Sequence, residues 1–235
     1  MRMPTKSEAD FAHLWRIGLT SRFPSKKRSR HFRRGVLAYA VLPPVSTLML
    51  GRLVVGKTYQ RSYVRLRDIS PTLVASVVAS EDARFCQNDG VEWATLEKVV
   101  HEAGVRGPSR GASTITMQTA KNLFLWPGRS ALRKGIEIPI ALGLGLVWTK
   151  ARTMEVYLNI AEWGDGVFGI EAASQLYFHK SAKRLDAREA ALLATSLPNP
   201  IKRNPANPRP FQRRLAEIIE ARAAASPEGL GCLPR

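Results

Sequence analysis

"SPTLVASVVASEDARFCQNDG", Ser70 to Gly90, is the stretch from which the fold and the chemistry can both be read. Ser70 is a cap residue type and Pro71 suits the first helical position, so a helix is predicted to start here. Leu73, Val74, Val77 and Val78 recur at helical spacing. The helix then delivers two adjacent carboxylates, Glu81 and Asp82. A carboxylate at a helix C-terminus faces the negative end of the macrodipole, so the dipole did not recruit it. Glu81 falls four residues after Val77 and seven after Val74, which puts it on the apolar face; Asp82 stands in the same relation to Val78. Burial disfavours the ionised form and raises a carboxyl pKa, which suits proton transfer near neutrality. The alternative role is a structural ion pair or hydrogen bond to a neighbouring helix.

Outward from this helix the pattern stays helical. "EWATLEKVVHEA" (92–103) presents Trp93, Leu96, Val99 and Val100 on one side, and a basic loop follows to Ser113. Ser113 is the predicted cap of a helix through "TITMQTAKNLFL", which Pro127-Gly128 ends. Ser130 opens "ALRKGIEIPIALGLGLVW", and Thr149 opens "KARTMEVYLNIAEW". A short helix is expected around Ile170–Phe178. Asp186 and Glu189 form a capping box for "AREAALLATSL". Five prolines between Pro198 and Pro210 mark a surface loop before the last helix, "FQRRLAEIIEARAAA". The predicted class is mainly α, because no strand–helix alternation supports a parallel sheet.

The 235 residues carry 36 Lys and Arg against 19 acids, a net of +17. Residues 1–34 hold ten basic residues against Glu8 and Asp10, a net of +8. Such a chain seeks anions: nucleic acid, phosphorylated substrates or acidic lipid surfaces. Between Arg34 and Arg52 lie 17 uncharged residues. At ~1.5 Å per residue they barely match a hydrocarbon core of ~30 Å, and Pro43-Pro44 interrupts them. The preceding basic cluster favours a membrane anchor with a cytoplasmic N-terminus. Leu123, Phe124, Leu125 and Trp126, interleaved with Arg129 and Arg133, are expected to meet lipid in part. Cys86 and Cys232 lack metal-ligand spacing; Cys86 is either a small buried residue or, outside the cytosol, the disulfide partner of Cys232.

A second carboxylate, Glu137, follows Arg133 and Lys134 by four and three residues, so all three crowd one side of a helix. Lys150 and Arg152 open the next helix, and Lys121 with Asn122 closes the one before. Cations grouped near two carboxylates suit a phosphorylated sugar: the cations hold phosphate, and the carboxylates serve a sugar hydroxyl and a metal.

"EDARFCQNDG", "GASTITMQTAKN", "RKGIE" and "KARTMEVYLNIAEWGDGVFGIEAAS" fall in one order, and together they resemble the peptidoglycan glycosyltransferase family, which polymerises lipid II into glycan strands. "TAKNLFLWPGRS" and "YLNIAEWGDGVFGIEAA" carry a closer likeness to its monofunctional members. The likeness covers about Leu50 to Pro210. It implies a lysozyme-like catalytic lobe with a smaller membrane-proximal lobe and a cleft between them. The expected layout is a basic cytoplasmic N-terminus (1–34), a membrane anchor (35–52), the glycosyltransferase domain (53–210), and a C-terminal helix and tail (211–235).

Carried over by position, Glu81 matches the family's catalytic base and Asp82 its neighbour in the motif. Ser113, Thr114, Gln118, Lys121 and Asn122 match the second motif. Arg133, Lys134 and Glu137 match the third, associated with the donor pyrophosphate and a divalent cation, Mg²⁺ or Mn²⁺, with Glu137 as its ligand. Lys150, Arg152, Glu155, Tyr157 and Asn159 match the fourth. The implied reaction joins lipid II to a growing strand and releases undecaprenyl pyrophosphate, at the bacterial inner membrane with the catalytic domain in the periplasm. Membrane lipids and other cell-wall synthesis proteins are the further partners implied; nucleic acid is not expected.

Two positions depart from the family pattern: Asn88 stands where His is usual and Met117 where a second Gln is usual. A lysozyme-like lytic enzyme, with Glu81 as its acid, is the nearest rival, and a basic binding module is another. No Ser-x-x-Lys set follows Pro210, so peptide cross-linking is expected to belong to other proteins.

Overall fold

The computed structural model describes residues 36–97, 113–128, 130–225 and 230–234. The basic N-terminus expected over 1–34, the second half of the 92–103 helix and the basic loop after it lie outside these residues. The chain divides into two compact units at Tyr39/Ala40. Of the first, only residues 36–39 are described, and they are helical.

The second unit is mainly helical. Its helices are α1 (Thr47–Val54), α2 (Pro71–Glu81), α3 (Ile115–Phe124), α4 (Ala131–Val147), α5 (Lys150–Ile160), α6 (Ile170–Phe178), α7 (Ala187–Ser196) and α8 (Pro210–Ala225). Residues 93–97 form a further helical turn. A small sheet joins β1 (Gln60–Arg61), β2 (Glu162–Gly164) and β3 (Val167–Phe168) in the order β1-β3-β2. β1 runs parallel to β3, and β2 antiparallel. The expected helix through Trp163 thus stops at Ile160, and "EWGDGVF" becomes a tight hairpin.

The caps mostly follow the sequence. Ser130 and Thr149 accept the backbone N–H groups of Arg133 and Arg152. Asp186 and Glu189 close a capping box on α7. Two expectations shift by one bond. Thr114, not Ser113, caps α3, accepting from Met117 N. Ser70 makes no cap bond to α2; its hydroxyl instead donates to Leu185 O at 2.9 Å.

The predicted apolar stripe on α2 is really an enclosed helix. Leu73, Val74, Ser76, Val77 and Val78 are all buried, and α7 and α8 pack on it and on each other. A helix apolar all round belongs inside the core. A second group packs α3 against α4 and α5. Phe85, Ile115, Met154, Tyr157 and Trp163 fill the shared core.

The expected crossing over 35–52 is not one helix. Helix 36–39 gives way to turn and extended residues through Ser46, and Ser46 then caps α1. Pro43-Pro44 supplies the reason, lacking two amide donors and restricting the residues before them. No helix among the described residues is long and apolar enough to cross a membrane.

Two glycines let the loop after α2 lie against α4. Gly90 has φ +108°, and a Cβ there would stand 2.7 Å from Ala141 O. A Cβ on Gly145 would overlap the Asp89 carbonyl. Cys86 and Cys232 form a disulfide, with Cα atoms 5.5 Å apart and 146 residues of separation. It ties the C-terminal tail, with the buried Leu233, to the same loop.

Candidate active site

Glu81 ends α2 and is partly buried. It accepts from Gln118 Nε2 at 3.0 Å and from Ser80 Oγ at 3.1 Å. Burial pushes its pKa up, against the lowering pull of those bonds and of Lys121 and Arg203. The direction is the one expected for a carboxyl delivered from an apolar helix.

Gln118 is itself held. Its Oε1 accepts from the buried Tyr157 hydroxyl at 3.0 Å, and its Nε2 also reaches Ser113 O at 3.4 Å. Ser113 in turn accepts a short bond from Lys134 Nζ through its hydroxyl. Lys134 then bonds Glu137 Oε2 at 3.1 Å, while Arg133 grips Glu137 Oε1. One chain of contacts therefore runs from Glu81 through Gln118, Ser113 and Lys134 to Glu137. Lys121 feels both ends: burial lowers its pKa, and the fields of Glu137 and Glu81 act against that.

Asp82 heads a second arm. It is buried and accepts from Ile115 N at 3.0 Å and from Asn88 Nδ2 at 3.0 and 3.3 Å. Burial raises its pKa as well. Asn88 Oδ1 takes Gly90 N at 3.0 Å and Lys150 Nζ at 3.2 Å. Lys150 also lies over the Phe85 ring, 4.6 Å from its centre. Asp82 is thus a brace between α2, the 83–90 loop and the start of α3. Asn88 needs both amide ends for this work, and a permanent donor–acceptor pair is what Asn offers there. Met117 is fully buried, where an apolar side chain packs without needing a hydrogen-bond partner.

Thr114 caps α3 and donates to Gly90 O at 2.6 Å. Asn122 is buried, and its carbonyl accepts from Thr47 at 3.0 Å, which ties α1 to α3.

The remaining predicted residues gather elsewhere. Arg152 binds Glu155, the Tyr63 hydroxyl at 2.8 Å and Leu42 O at 2.6 Å. Glu155 also accepts from Tyr63 and from Leu66 N, each at 2.8 Å. Burial, then the bond to Glu155, pushes Tyr63 up to about 12. Asn159 is fully buried and holds Val64 N at 2.9 Å and Val64 O at 2.8 Å. This cluster fastens the 63–66 segment to α5. Local spacing could not reveal these bonds, because the partners are about ninety residues away along the chain.

The donor set does not fit a resident divalent cation. Both oxygens of Glu137 already face cations, and Lys121, Arg133 and Lys134 make the surroundings positive. Among the described residues no three His, Cys, Asp or Glu side chains form a metal-sized group. The same charge suits a polyanion. A cavity of about 450 Å³ lies at the start of α8, beside Lys202, Arg209 and Arg213, and includes none of the predicted site residues.

The "NLFLWPG" stretch is divided between core and surface. Leu123 and Leu125 are buried, and Trp126 is left half-exposed.

A family profile described as "Transglycosylase" matches residues 48–223. The "Biosynthetic peptidoglycan transglycosylase" of Agrobacterium fabrum is 54% identical over 84% of this chain and 88% of that protein. The protein of the same description from Rhizobium meliloti is 51% identical over 85% of this chain and 84% of its own length. For Brucella suis the identity is 53%, over 81% and 85%.

Proposed function

Because the chain belongs to the transglycosylase family and is a glycosyltransferase of peptidoglycan synthesis, we propose that it polymerises lipid II with Glu81 as the base. The acceptor's sugar 4-hydroxyl gives its proton to Glu81 as its oxygen attacks the donor's anomeric carbon. The new glycosidic bond forms as the bond from that carbon to the lipid pyrophosphate breaks, with inversion. Undecaprenyl pyrophosphate leaves carrying the electron pair.

The observation that carries this reading is the contact chain linking Glu81 to the Lys134–Glu137–Arg133 group. A pyrophosphate is already a good leaving group, so it needs charge neutralisation more than a proton. Lys134 is part-exposed, with Lys121 beside it electrostatically. These two, with Arg133, are the cations we assign to the donor phosphates. Glu137 orients them: it holds two cations in place and lowers the cost of placing like charges together. Arg152, Glu155 and Asn159 support α5 instead, and Asp82 with Asn88 supports the loop behind Glu81.

This reading makes the helical body the lysozyme-like lobe, working at the inner membrane surface where the lipid substrate resides. A growing glycan strand is the acceptor-side partner. The lytic rival would use Glu81 as an acid and has no need of the cation group.

The test incubates the purified chain with lipid II and follows glycan polymer and released lipid pyrophosphate together. Both products from the wild-type protein, and neither from Glu81→Gln, support the proposal. Cleavage of preformed strands without polymer would favour the lytic reading.

A further inference from the structure

Arg61 lies in β1, opposite Phe168 in the sheet register. Its guanidinium stacks over Tyr63, 5.4 Å from the ring centre, and Tyr59 meets Phe168 edge-on at 5.7 Å. The Nε and Nη2 nitrogens of Arg61 are both buried, and among the described residues neither has a hydrogen-bond partner. These two donors point the same way and form the side-on fork that matches two oxygens of one phosphate or carboxylate.

Three other arginines that are at least partly buried face carboxylates, although Arg133 Nε, like Arg61 Nε, is buried without a hydrogen-bond partner among the described residues. Arg52 faces Glu162 and Asp165, Arg133 faces Glu137, and Arg152 faces Glu155. Arg61 has no carboxylate among its electrostatic neighbours, which are Tyr59 and Tyr63, and burial lowers its pKa. An unpaired, partly desolvated cation is costly to keep, and the missing partner is an oxyanion.

The surroundings indicate what brings that oxyanion. Arg61 lines a cavity of about 480 Å³ with Leu53, Thr58 and Tyr59. Leu53 belongs to the end of α1, where Leu50, Val54 and Val55 are also exposed, Val54 at 86%. Lys57 is exposed beside them. A soluble anion would gain nothing from this apolar rim. A phosphodiester carrying acyl chains would cover it.

We propose that Arg61 and the end of α1 form a binding site for the phosphate of an anionic phospholipid headgroup. The phosphate takes the Nε–Nη2 fork, Thr58 and Tyr59 offer hydroxyl donors, and the glycerol ester region lies on Leu53 and Val54. Because water does not reach the two nitrogens, the outer torsions of Arg61 must first turn the fork into the cavity it already lines. The site is separate from the Glu81–Glu137 chain, and the proposal does not depend on the reaction assigned there.

The experiment titrates the full chain with dihexanoyl phosphatidylglycerol below its micelle concentration and follows the Arg61 Nε–H signal by nuclear magnetic resonance. Glycerophosphoglycerol and inorganic phosphate are titrated in parallel. The expected result is a saturable shift with the short-chain lipid and affinity at least tenfold weaker for both chainless anions. Arg61→Lys keeps the charge but not the fork, so its affinity should fall at least tenfold, as should that of Arg61→Ala. Leu53→Ser with Val54→Ser should weaken the lipid alone. An Arg61 signal that does not move overturns the site. Equal binding of the chainless anions overturns the lipid assignment, and wild-type affinity in Arg61→Lys overturns the two-pronged contact. Thermal melting of each variant identifies any that fail to fold; the wild-type signal and the lipid–anion comparison stand without them.

Discussion

The Tyr157 hydroxyl donates to Gln118 Oε1 at 3.0 Å and so decides which end of the Gln118 amide faces Glu81. Burial keeps Tyr157 well above its ordinary pKa, so this proton stays in place. The Gln118 bond favours ionised Glu81. If Glu81 is the base, Gln118→Ala should move the acidic limb of the rate profile to higher pH. Tyr157→Phe should move it the same way by less. A pH–rate series of the three proteins checks this; limbs that coincide would separate Gln118 from the base.

Glu81→Gln keeps shape and removes the proposed base. General-base assistance contributes ~10²–10⁴-fold, so polymerisation should fall by about that factor. Stability should change in the other direction, and with pH. The folded pKa of Glu81 is raised above its ordinary value by burial. The folded state therefore holds this proton more tightly than the unfolded chain does. The group's favourable contribution is full below the unfolded value and is lost as pH rises through the folded one. The Gln variant should gain on wild type in melting temperature as pH rises above the ordinary carboxylate range.

Lys134→Ala and Arg152→Ala should behave differently. Lys134 is part-exposed, so its loss should stop turnover while the melting temperature moves little. Arg152 holds Glu155, Tyr63 and Leu42. Removing it leaves Glu155 with Tyr63 and Leu66 N but without its cation, and should cost about 1–3 kcal/mol of stability. Melting curves beside polymerisation rates distinguish the two; a fully stable Arg152→Ala would return that residue to the substrate.

Gly145→Ala tests how closely α4 and the Asp89–Gly90 backbone must approach. The new Cβ meets the Asp89 carbonyl, which is backbone and cannot swing away. Overpacking costs about 1–3 kcal/mol. Because α4 carries Glu137 and the loop braces Asp82, activity should fall further than stability suggests. Gly143→Ala, with open space around it, should be neutral.

What was legible in the sequence was local. Pro71, Ser130, Thr149 and the Asp186–Glu189 pair announced helix starts because a cap acts within one turn. Glu81 was found because its spacing from Val74 and Val77 conflicted with its charge. The enclosure of α2 was not legible, since α7 and α8, more than a hundred residues further on, close it. The same distance hid the duties of Arg152, Glu155 and Asn159. Ser113 and Thr114 were both cap types, and only the position of Lys134 on another helix assigns one to each task. "EWG" continued a helical pattern by composition, yet β3 recruits it into a strand. Arg61 gave no signal, because an unpaired fork is recognised only after every neighbour has been placed.

The disulfide has a consequence for how the molecule is made. Cys86 precedes its partner Cys232 by 146 residues. During vectorial synthesis Cys86, Phe85 and the loop behind Glu81 emerge long before the sulfur that fastens them. The bond can close only after the chain through Cys232 has left the ribosome and met an oxidising environment. A product cut short before Cys232 keeps every residue of the Glu81–Glu137 chain, and the bonds of Asp82, Asn88 and Thr114, but lacks this covalent tie on the loop. For a loop of this size the tie is worth about 5 kcal/mol in the chain-entropy account. Chains with and without the bond would thus differ in durability more than in chemistry.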